Sequence, residues 1–218
     1  TTGLDLIKKK LGKQAYAFTM PLVLDKYGNK FGKSEGNALW LDRNKTSSYE
    51  LYQYLINVDD EMVIDYLKIF TFLSVEEINR LKESNDKNPH LREAHKALAR
   101  EIITDLHGED AYLEAVKISE VLFSGNIKEL TVNEIEMAFK GLERLTIKEE
   151  MNIVEFLVAM HICSSKREAR EFINNGSITV NGDKITDLDF IVQKKIAIEE
   201  KYVVVRRGKK KYFIVEFC

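Results

Sequence analysis

Residues 165–182, "SKREAREFINNGSITVNG", decide the fold of the C-terminal part of the chain. Ser165 and Glu168 have the spacing of a capping box, which predicts the start of a helix. The Asn-Asn-Gly that follows ends this helix, and the β-branched run at residues 178–180 indicates a strand. The closing Asn-Gly pair is a strong signal for a two-residue hairpin. A helix, a strand and a hairpin in such a short stretch predict a small α+β domain.

The chain before this stretch is mainly helical. Apolar residues recur at helical spacing through most of residues 46–142, and Ser74 and Thr131 each stand three residues before a glutamate, as in a capping box. Residues 143–150 are charged and contain few large apolar side chains, so we predict a linker there. The sequence therefore predicts a multi-domain, mainly α protein in which a helical bundle precedes a separate α+β domain at residues 151–218.

Composition excludes several classes of protein. The 218 residues are 44% hydrophobic and 31% charged, which is typical of a globular domain in water. We find no apolar run of the roughly 20 residues that a membrane span needs, so no membrane partner is predicted. Cys163 and Cys218 are too few for a disulfide framework or a zinc site, which predicts a cytoplasmic protein without a bound metal or prosthetic group. Because the chain starts with Thr1 rather than Met, we expect it to be part of a longer protein.

Positive charge concentrates in the C-terminal domain. Residues 151–218 contain 12 Lys and Arg against 9 Asp and Glu, although the net charge of the chain is −2. One cluster lies on the first turns of the predicted helix, and a second lies at a hairpin tip, where like charges repel unless phosphates neutralise them. A solvated charge run is the alternative. We predict RNA backbone binding by Lys166, Arg167, Arg170, Asn181, Arg206, Arg207, Lys209, Lys210 and Lys211.

A glycine-rich loop lies in "DKYGNKFGKSEGNALW", residues 25–40. Its Gly-Lys-Ser, residues 32–34, matches the end of a phosphate-binding P-loop. The first glycine of that motif belongs at position 27, which is tyrosine, and Gly28 is one residue too close. More loop-forming residues follow where the motif requires a helix. From spacing alone, an exposed basic hairpin is the better interpretation, and a P-loop nucleotide hydrolase is a distant alternative.

A family resemblance explains both features. Residues 165–182 closely resemble the core of the alpha-L RNA-binding domain, which occurs at the C-terminus of bacterial tyrosyl-tRNA synthetases. Residues 30–34, "KFGKS", match a variant of the second signature of class I synthetases, KMSKS. The stretches "DEMVIDYLKIFTFLSVEEI", "HGEDA", "LFSGNI" and "RRGKKKYFIVEF" also resemble this family, in the same order. The similarity covers essentially the whole chain.

The resemblance implies roles for the loop residues. In this family, ATP and tyrosine form tyrosyl-adenylate, and the tyrosyl group then moves to the 3′ end of tRNA(Tyr). Lys33, and secondarily Lys30, are implied to bind ATP and to stabilise the charge that builds on the pyrophosphate leaving group. Gly32 would give the ATP-binding loop its conformational freedom, and Ser34 would orient the loop or a phosphate. ATP is expected with Mg²⁺.

The resemblance also implies a domain order and partners. Residues 1–45 would end a Rossmann-like catalytic domain, residues 46–142 would be the anticodon-side tRNA-binding domain, and residues 151–218 would hold tRNA(Tyr) by its phosphates. The first class I signature, H-x-G-H, is not found in the sequence. It is expected, with the tyrosine pocket and a homodimer contact, in a preceding N-terminal domain, so this chain alone is predicted to be inactive. A non-catalytic protein that uses only its alpha-L domain to bind RNA is the alternative.

Overall fold

The computed structural model describes residues 2–20, 22–24, 26–28, 39–208 and 211–218. The chain divides into two compact units, Thr1–Leu39 and Trp40–Cys218. In the first unit, helix α1 spans Thr2–Leu11. No helix in the described ranges is long and apolar enough to cross a membrane. Six of the predicted site residues lie outside the described residues: Lys30, Gly32, Lys33, Ser34, Lys209 and Lys210.

The first part of the second unit is a helical bundle. Its helices are α2 at Ser48–Ile56, α3 at Val63–Phe70, α4 at Val75–Lys87, α5 at Glu93–His107, α6 at Glu109–Ser124 and α7 at Val132–Ala138. The capping boxes predicted at Ser74 and Thr131 are both formed. Apolar side chains such as Leu55, Leu98 and Ile103 are buried between the helices. Contacts of this kind, more than helix propensity, stabilise helices of this length.

A small mixed sheet follows the bundle. Its strands are β1 at Arg144–Ile147, β3 at Ile178–Val180, β4 at Asp183–Lys184, β6 at Tyr202–Arg207 and β7 at Lys211–Phe217, in the order β1-β7-β6-β3-β4. The short strands β2 at Met151–Asn152 and β5 at Ile191–Val192 pair separately. Helices α8 at Ile153–Ala159 and α9 at Lys166–Asn174 complete this part. The helix, strand and hairpin predicted for residues 165–182 are all present.

The segment at residues 143–150 is not the linker that its charges suggested. Arg144 to Ile147 form β1, which pairs in parallel with β7. The reason lies in the alternation of the segment, because Leu145 and Ile147 are apolar and Ile147 is buried in the core, whereas Arg144 and Thr146 are exposed. This period of two is that of a strand with one buried face.

The sheet is covered on both faces. Val203 and Val205 of β6 pack in one cluster with α8 and α9, whereas Tyr202 and Val204 pack in a second cluster with Ile118 and other residues of the bundle. Successive side chains of a strand point to opposite faces, which explains this division. The predicted separation of bundle and α+β domain is therefore not observed, and residues 40–218 form one compact unit.

A hydrogen-bonded cluster joins the bundle to the sheet beside this apolar contact. Glu136 of α7 accepts hydrogen bonds from the Tyr202 hydroxyl at 2.8 Å and from Lys201 Nζ at 3.0 Å. Arg144 of β1 also donates to the Tyr202 hydroxyl, at 2.9 Å. The hydrogen bonds from Tyr202 and Lys201 lower the pKa of Glu136, so this carboxylate remains ionised at the junction.

The two backbones approach closely at Gly182, in the turn between β3 and β4. A β-carbon at Gly182 would lie 2.1 Å from the carbonyl oxygen of Gly125, the residue that ends α6. Gly182 also has a φ of +92°, which disfavours any side chain. Two independent reasons therefore require glycine where the hairpin meets the bundle.

We expect Gly182→Ala to lower the free energy of unfolding by about 2–5 kcal/mol, since backbone strain and a steric overlap add together. Gly125→Ala is the matched control, because Gly125 has a similar φ of +87° but an added β-carbon would meet nothing within 4 Å. We expect it to lose only about 1–2 kcal/mol. Urea unfolding of both variants checks the comparison, and equal losses would contradict the close approach.

His95 is a buried titratable group in the bundle. Its Nε2 donates to the Val58 carbonyl oxygen at 2.9 Å, and its buried Nδ1 has no hydrogen-bond partner. Burial and then the charge of Arg92 hold the pKa of His95 below its ordinary value of 6.5, although the Val58 carbonyl and Asp60 oppose this shift. The folded state therefore binds fewer protons than the unfolded state when the pH is near 6.5.

We expect the contribution of His95 to stability to be complete above pH 6.5 and to be lost as the pH falls through 6.5 toward the folded pKa. His95→Gln keeps a donor but cannot titrate, so its stability should depend less on pH between about 7 and 5. His90→Gln, at an exposed position, is the control and should behave as the parent does. Urea midpoints measured across this range test the prediction, and parallel curves for His95→Gln and the parent would refute it.

Candidate nucleic-acid interface

The basic cluster on α9 is presented to solvent, as predicted. The Ser165 side chain caps the helix by accepting a hydrogen bond from the Glu168 backbone. Lys166, Arg167 and Arg170 are exposed on the first turns. The positive end of the helix dipole adds to their field, which favours an anion at this position. Lys166 already pairs with Glu155 of α8 at 2.7 Å, and its hydrogen bond lowers the pKa of Glu155.

Arg207 lies on the same face of the sheet as α9. Its guanidinium donates to the Ile162 carbonyl in the turn between α8 and α9, and it lies 5.5 Å from the Phe172 ring centre and 5.8 Å from that of Phe213. Lys211 pairs with Arg207 across the strands, and its ammonium lies 5.6 Å from the Phe213 ring centre. Arg207 thus contributes to packing as well as to the charge of this face.

Arg206 is directed away from this cluster. It follows Val205 in β6, so its side chain points to the opposite face, which the bundle covers. There it lines a small cavity with Gly125, Ile127 and Tyr212, and its Nε is buried without a hydrogen-bond partner. Arg206 and Arg207 therefore do not share one surface, because adjacent strand residues alternate between faces.

Asn181 does not present a polar group to solvent. It is 2% exposed and adopts a φ of +49° in the β3–β4 turn. Its amide nitrogen donates to the Ile196 carbonyl at 2.7 Å, and its amide oxygen accepts from the Val204 backbone at 2.8 Å. The side chain is thus a structural element of the turn, and the RNA contact predicted for Asn181 is wrong because its amide is buried and bonded to the backbone.

An aromatic groove of about 720 Å³ lies between the bundle and β7. Phe139 and Tyr212 form one wall, with ring centres 5.3 Å apart, and Phe123 at the end of α6 is 94% exposed. Burial, and secondarily the nearby Tyr212, raise the pKa of Tyr49 to about 12, so its hydroxyl remains protonated near neutral pH. Lys140 also lines the groove. Aromatic side chains beside a cation can stack and hold an unpaired base.

The sequence analysis did not identify this groove. Its walls come from α2, α6, α7 and β7, which are far apart in the sequence and meet only because the sheet docks on the bundle. The one local signal was Phe123, a large apolar residue next to the Ser-Gly that ends α6.

Comparisons with known proteins cover the whole chain. The family described as tRNA synthetases class I (W and Y) matches residues 1–124, and the tyrosine–tRNA ligase SYY-like C-terminal domain matches residues 134–215. Over 219 aligned residues, the tyrosine–tRNA ligases of Streptococcus pneumoniae (strain CGSP14) and Streptococcus gordonii (strain Challis) are 48% and 47% identical. Each alignment covers 100% of this chain and 52% of the relative, so the chain spans about half the length of these relatives.

A solution structure of a tyrosyl-tRNA synthetase C-terminal domain is 39% identical and covers 43% of this chain and 95% of that domain, with a TM-score of 0.38. Both matching families are aminoacyl-tRNA synthetases. The chain belongs to the class I tRNA synthetases of the tryptophan and tyrosine family, and the predicted resemblance to its tyrosine branch is confirmed.

Proposed function

We propose that this chain is the part of a tyrosine–tRNA ligase that carries the second ATP-binding signature and the tRNA-binding surfaces. The observation that carries the proposal is the 48% identity to a tyrosine–tRNA ligase along the whole chain, including the region of K-F-G-K-S at residues 30–34. The reaction of the full-length protein is the activation of tyrosine by ATP, accompanied by Mg²⁺, followed by transfer to tRNA(Tyr).

Lys33 and Lys30 supply positive charge to the activation step. Attack of the tyrosine carboxylate on the α-phosphate of ATP forms the adenylate and releases pyrophosphate, on which negative charge builds in the transition state. Ammonium groups placed at that position stabilise the transition state more than bound ATP, which raises the rate rather than only the affinity. Gly32 provides the backbone freedom for this placement, and Ser34 orients the loop.

The second unit binds the tRNA. Exposed Arg167 and Arg170, with Lys166 and Lys211, give α9 and its neighbouring strands a positive face that suits the phosphate backbone. The aromatic groove on the other side of the sheet suits an unstacked base, because Phe139, Tyr212 and exposed Phe123 offer stacking surfaces. Lys209 and Lys210 extend the basic hairpin in the sequence and belong to the same proposal.

The proposal also includes partners and location. The full-length protein acts in the cytoplasm as a homodimer that contacts its second copy through a domain preceding this chain. A binding protein without catalysis would account for the alpha-L domain alone. The match of residues 1–124 to the class I synthetases favours the ligase over that alternative.

In the full-length protein, we expect Lys33→Ala to lower the rate of tyrosyl-adenylate formation by about 10²- to 10³-fold, as when one preorganised charge-stabilising donor is removed. Tyrosine affinity should change little, because the ammonium acts on the leaving group. Lys13→Ala, which removes an exposed lysine of the same unit, is the control. Single-turnover adenylate formation provides the measurement, and a normal rate in Lys33→Ala would exclude the proposed role.

The 218-residue chain alone should show no tyrosine-dependent pyrophosphate exchange.

For RNA binding, we expect Arg167→Ala with Arg170→Ala to flatten the slope of log affinity against log salt concentration by about 1.4–1.8, or roughly 0.7–0.9 for each phosphate that is no longer neutralised. The loss of affinity should be similar for an unrelated RNA, because side chains that bind phosphates do not distinguish bases. Arg80→Ala with Arg100→Ala is the matched control, since both arginines are exposed on helices of the bundle. An unchanged slope in the α9 variant would mean that the RNA binds elsewhere.

A further inference from the structure

The chain enters the bundle through a tight turn at residues 40–46, which we call the entry segment. It begins six residues after Ser34 of the glycine-rich loop. The backbone amides of Lys45 and Thr46 both donate to the Asp42 carbonyl oxygen at 3.0 Å. The Trp40 amide donates to Thr46 Oγ1 at 2.9 Å, which closes the turn. Asp42 and Thr46 therefore hold the backbone of the entry segment in its turn.

Lys140, just after the C-terminal end of α7, anchors this turn from outside. Its ammonium donates to the Lys45 carbonyl oxygen at 2.7 Å, to the Asn44 carbonyl oxygen at 3.3 Å and to Glu50 Oε2 at 3.4 Å. A lysine ammonium has three donor hydrogens, so these contacts use all of them. The same residue lines the aromatic groove beside Phe139.

The contacts of Lys140 are open to competition. Its side chain is 40% exposed, and its ion-pair partner Glu50 lies at 3.4 Å and also accepts a hydrogen bond from the Ser47 amide at 2.7 Å. A phosphate beside the groove would form a shorter charge-assisted hydrogen bond with the ammonium. Since no donor hydrogen of Lys140 is spare, a bound phosphate must displace one of its three acceptors, which are Glu50 and the two carbonyl oxygens of the entry segment.

We propose that Lys140 is a positioning residue that couples RNA binding in the aromatic groove to the entry segment. The inference rests on the proposed RNA-binding function. In one state the ammonium holds the carbonyl oxygens of Asn44 and Lys45, and in the other it holds an RNA phosphate. The two sites therefore share one group with two alternative arrangements, which is the requirement for energetic coupling. Linkage is reciprocal, so a change at the entry segment must also change the affinity for RNA.

Trp40 is a natural reporter of this exchange. It is the single tryptophan of the chain, and the Lys45 ammonium lies 4.1 Å from its ring centre. When the Lys45 carbonyl loses its donor, one of the hydrogen bonds that fix the backbone carrying this ammonium is lost. The environment of the Trp40 ring then changes without any contact between the ring and RNA.

The test titrates the 218-residue chain with tRNA(Tyr) and records Trp40 emission, while the anisotropy of a labelled tRNA measures binding independently. We expect a change in emission with the same midpoint as binding. Lys140→Met should remove the emission change and weaken binding by about 3- to 30-fold, as expected when one charge-assisted phosphate contact is removed, while Lys140→Arg should retain both in part. Lys68→Met, in an exposed pair with Asp65 on α3, is the control and should behave as the parent does.

Three outcomes would overturn the inference. If tRNA binds the parent chain and Trp40 emission stays constant, there is no coupling, although the RNA-binding function stands. If tRNA does not bind at all, the proposed function of this surface fails and the inference fails with it. If Lys140→Met retains the full emission change, another group transmits it. Should Lys140→Met fail to fold, as judged by its urea unfolding curve, Lys140→Gln replaces it in the same assay.

Discussion

The second unit depends on a sheet that has no solvent face at its centre. Four consecutive residues of β6, from Tyr202 to Val205, are each at most 1% exposed. A strand of this kind is stable only between two apolar layers, and here α8 and α9 form one layer while α6 and α7 contribute to the other. Each fully buried side chain of this size stabilises the fold by roughly 1.5–3 kcal/mol, so the removal of either layer would cost much of the stability. The surfaces proposed to bind RNA lie on the two sides of the sheet in this three-layer packing.

Local signals in the sequence predicted local structure well. The caps at Ser74 and Thr131, the Asn-Gly turn and the β-branched run at residues 178–180 act over a few residues, and each is present in the structure. The docking of sheet and bundle could not be predicted in this way, because it joins residues far apart in the chain. The unbroken apolar run of β6 was an available signal, since a strand with one solvated face alternates instead. Similarly, the charges around β1 obscured the alternation of Leu145 and Ile147.

For the candidate RNA-binding site, too, local signals in the sequence predicted only local structure. Counting lysines and arginines correctly identified a basic region, and the helix cap correctly placed Arg167 and Arg170 on an exposed turn. The number of charged residues could not show on which face of the sheet each side chain lies. Arg206 and Arg207 are neighbours in sequence, yet one faces the bundle and the other packs beside Phe172. The ATP-binding role proposed for the glycine-rich loop came from family resemblance rather than from spacing, because the spacing of its glycines is not that of a P-loop.

The order of the strands has a consequence for synthesis of the protein. β7 comes last among the elements in sequence but lies between β6 and β1 in the sheet. On a ribosome the bundle emerges first and can acquire its helices early, since its contacts are close in sequence. β1 has no partner strand until residues 211–217 have left the exit tunnel, and the apolar side of α6 and α7 stays uncovered until β6 and β7 have emerged. A nascent chain stalled before β7 would therefore expose an aggregation-prone surface, which makes this short interval the period when a chaperone is most needed.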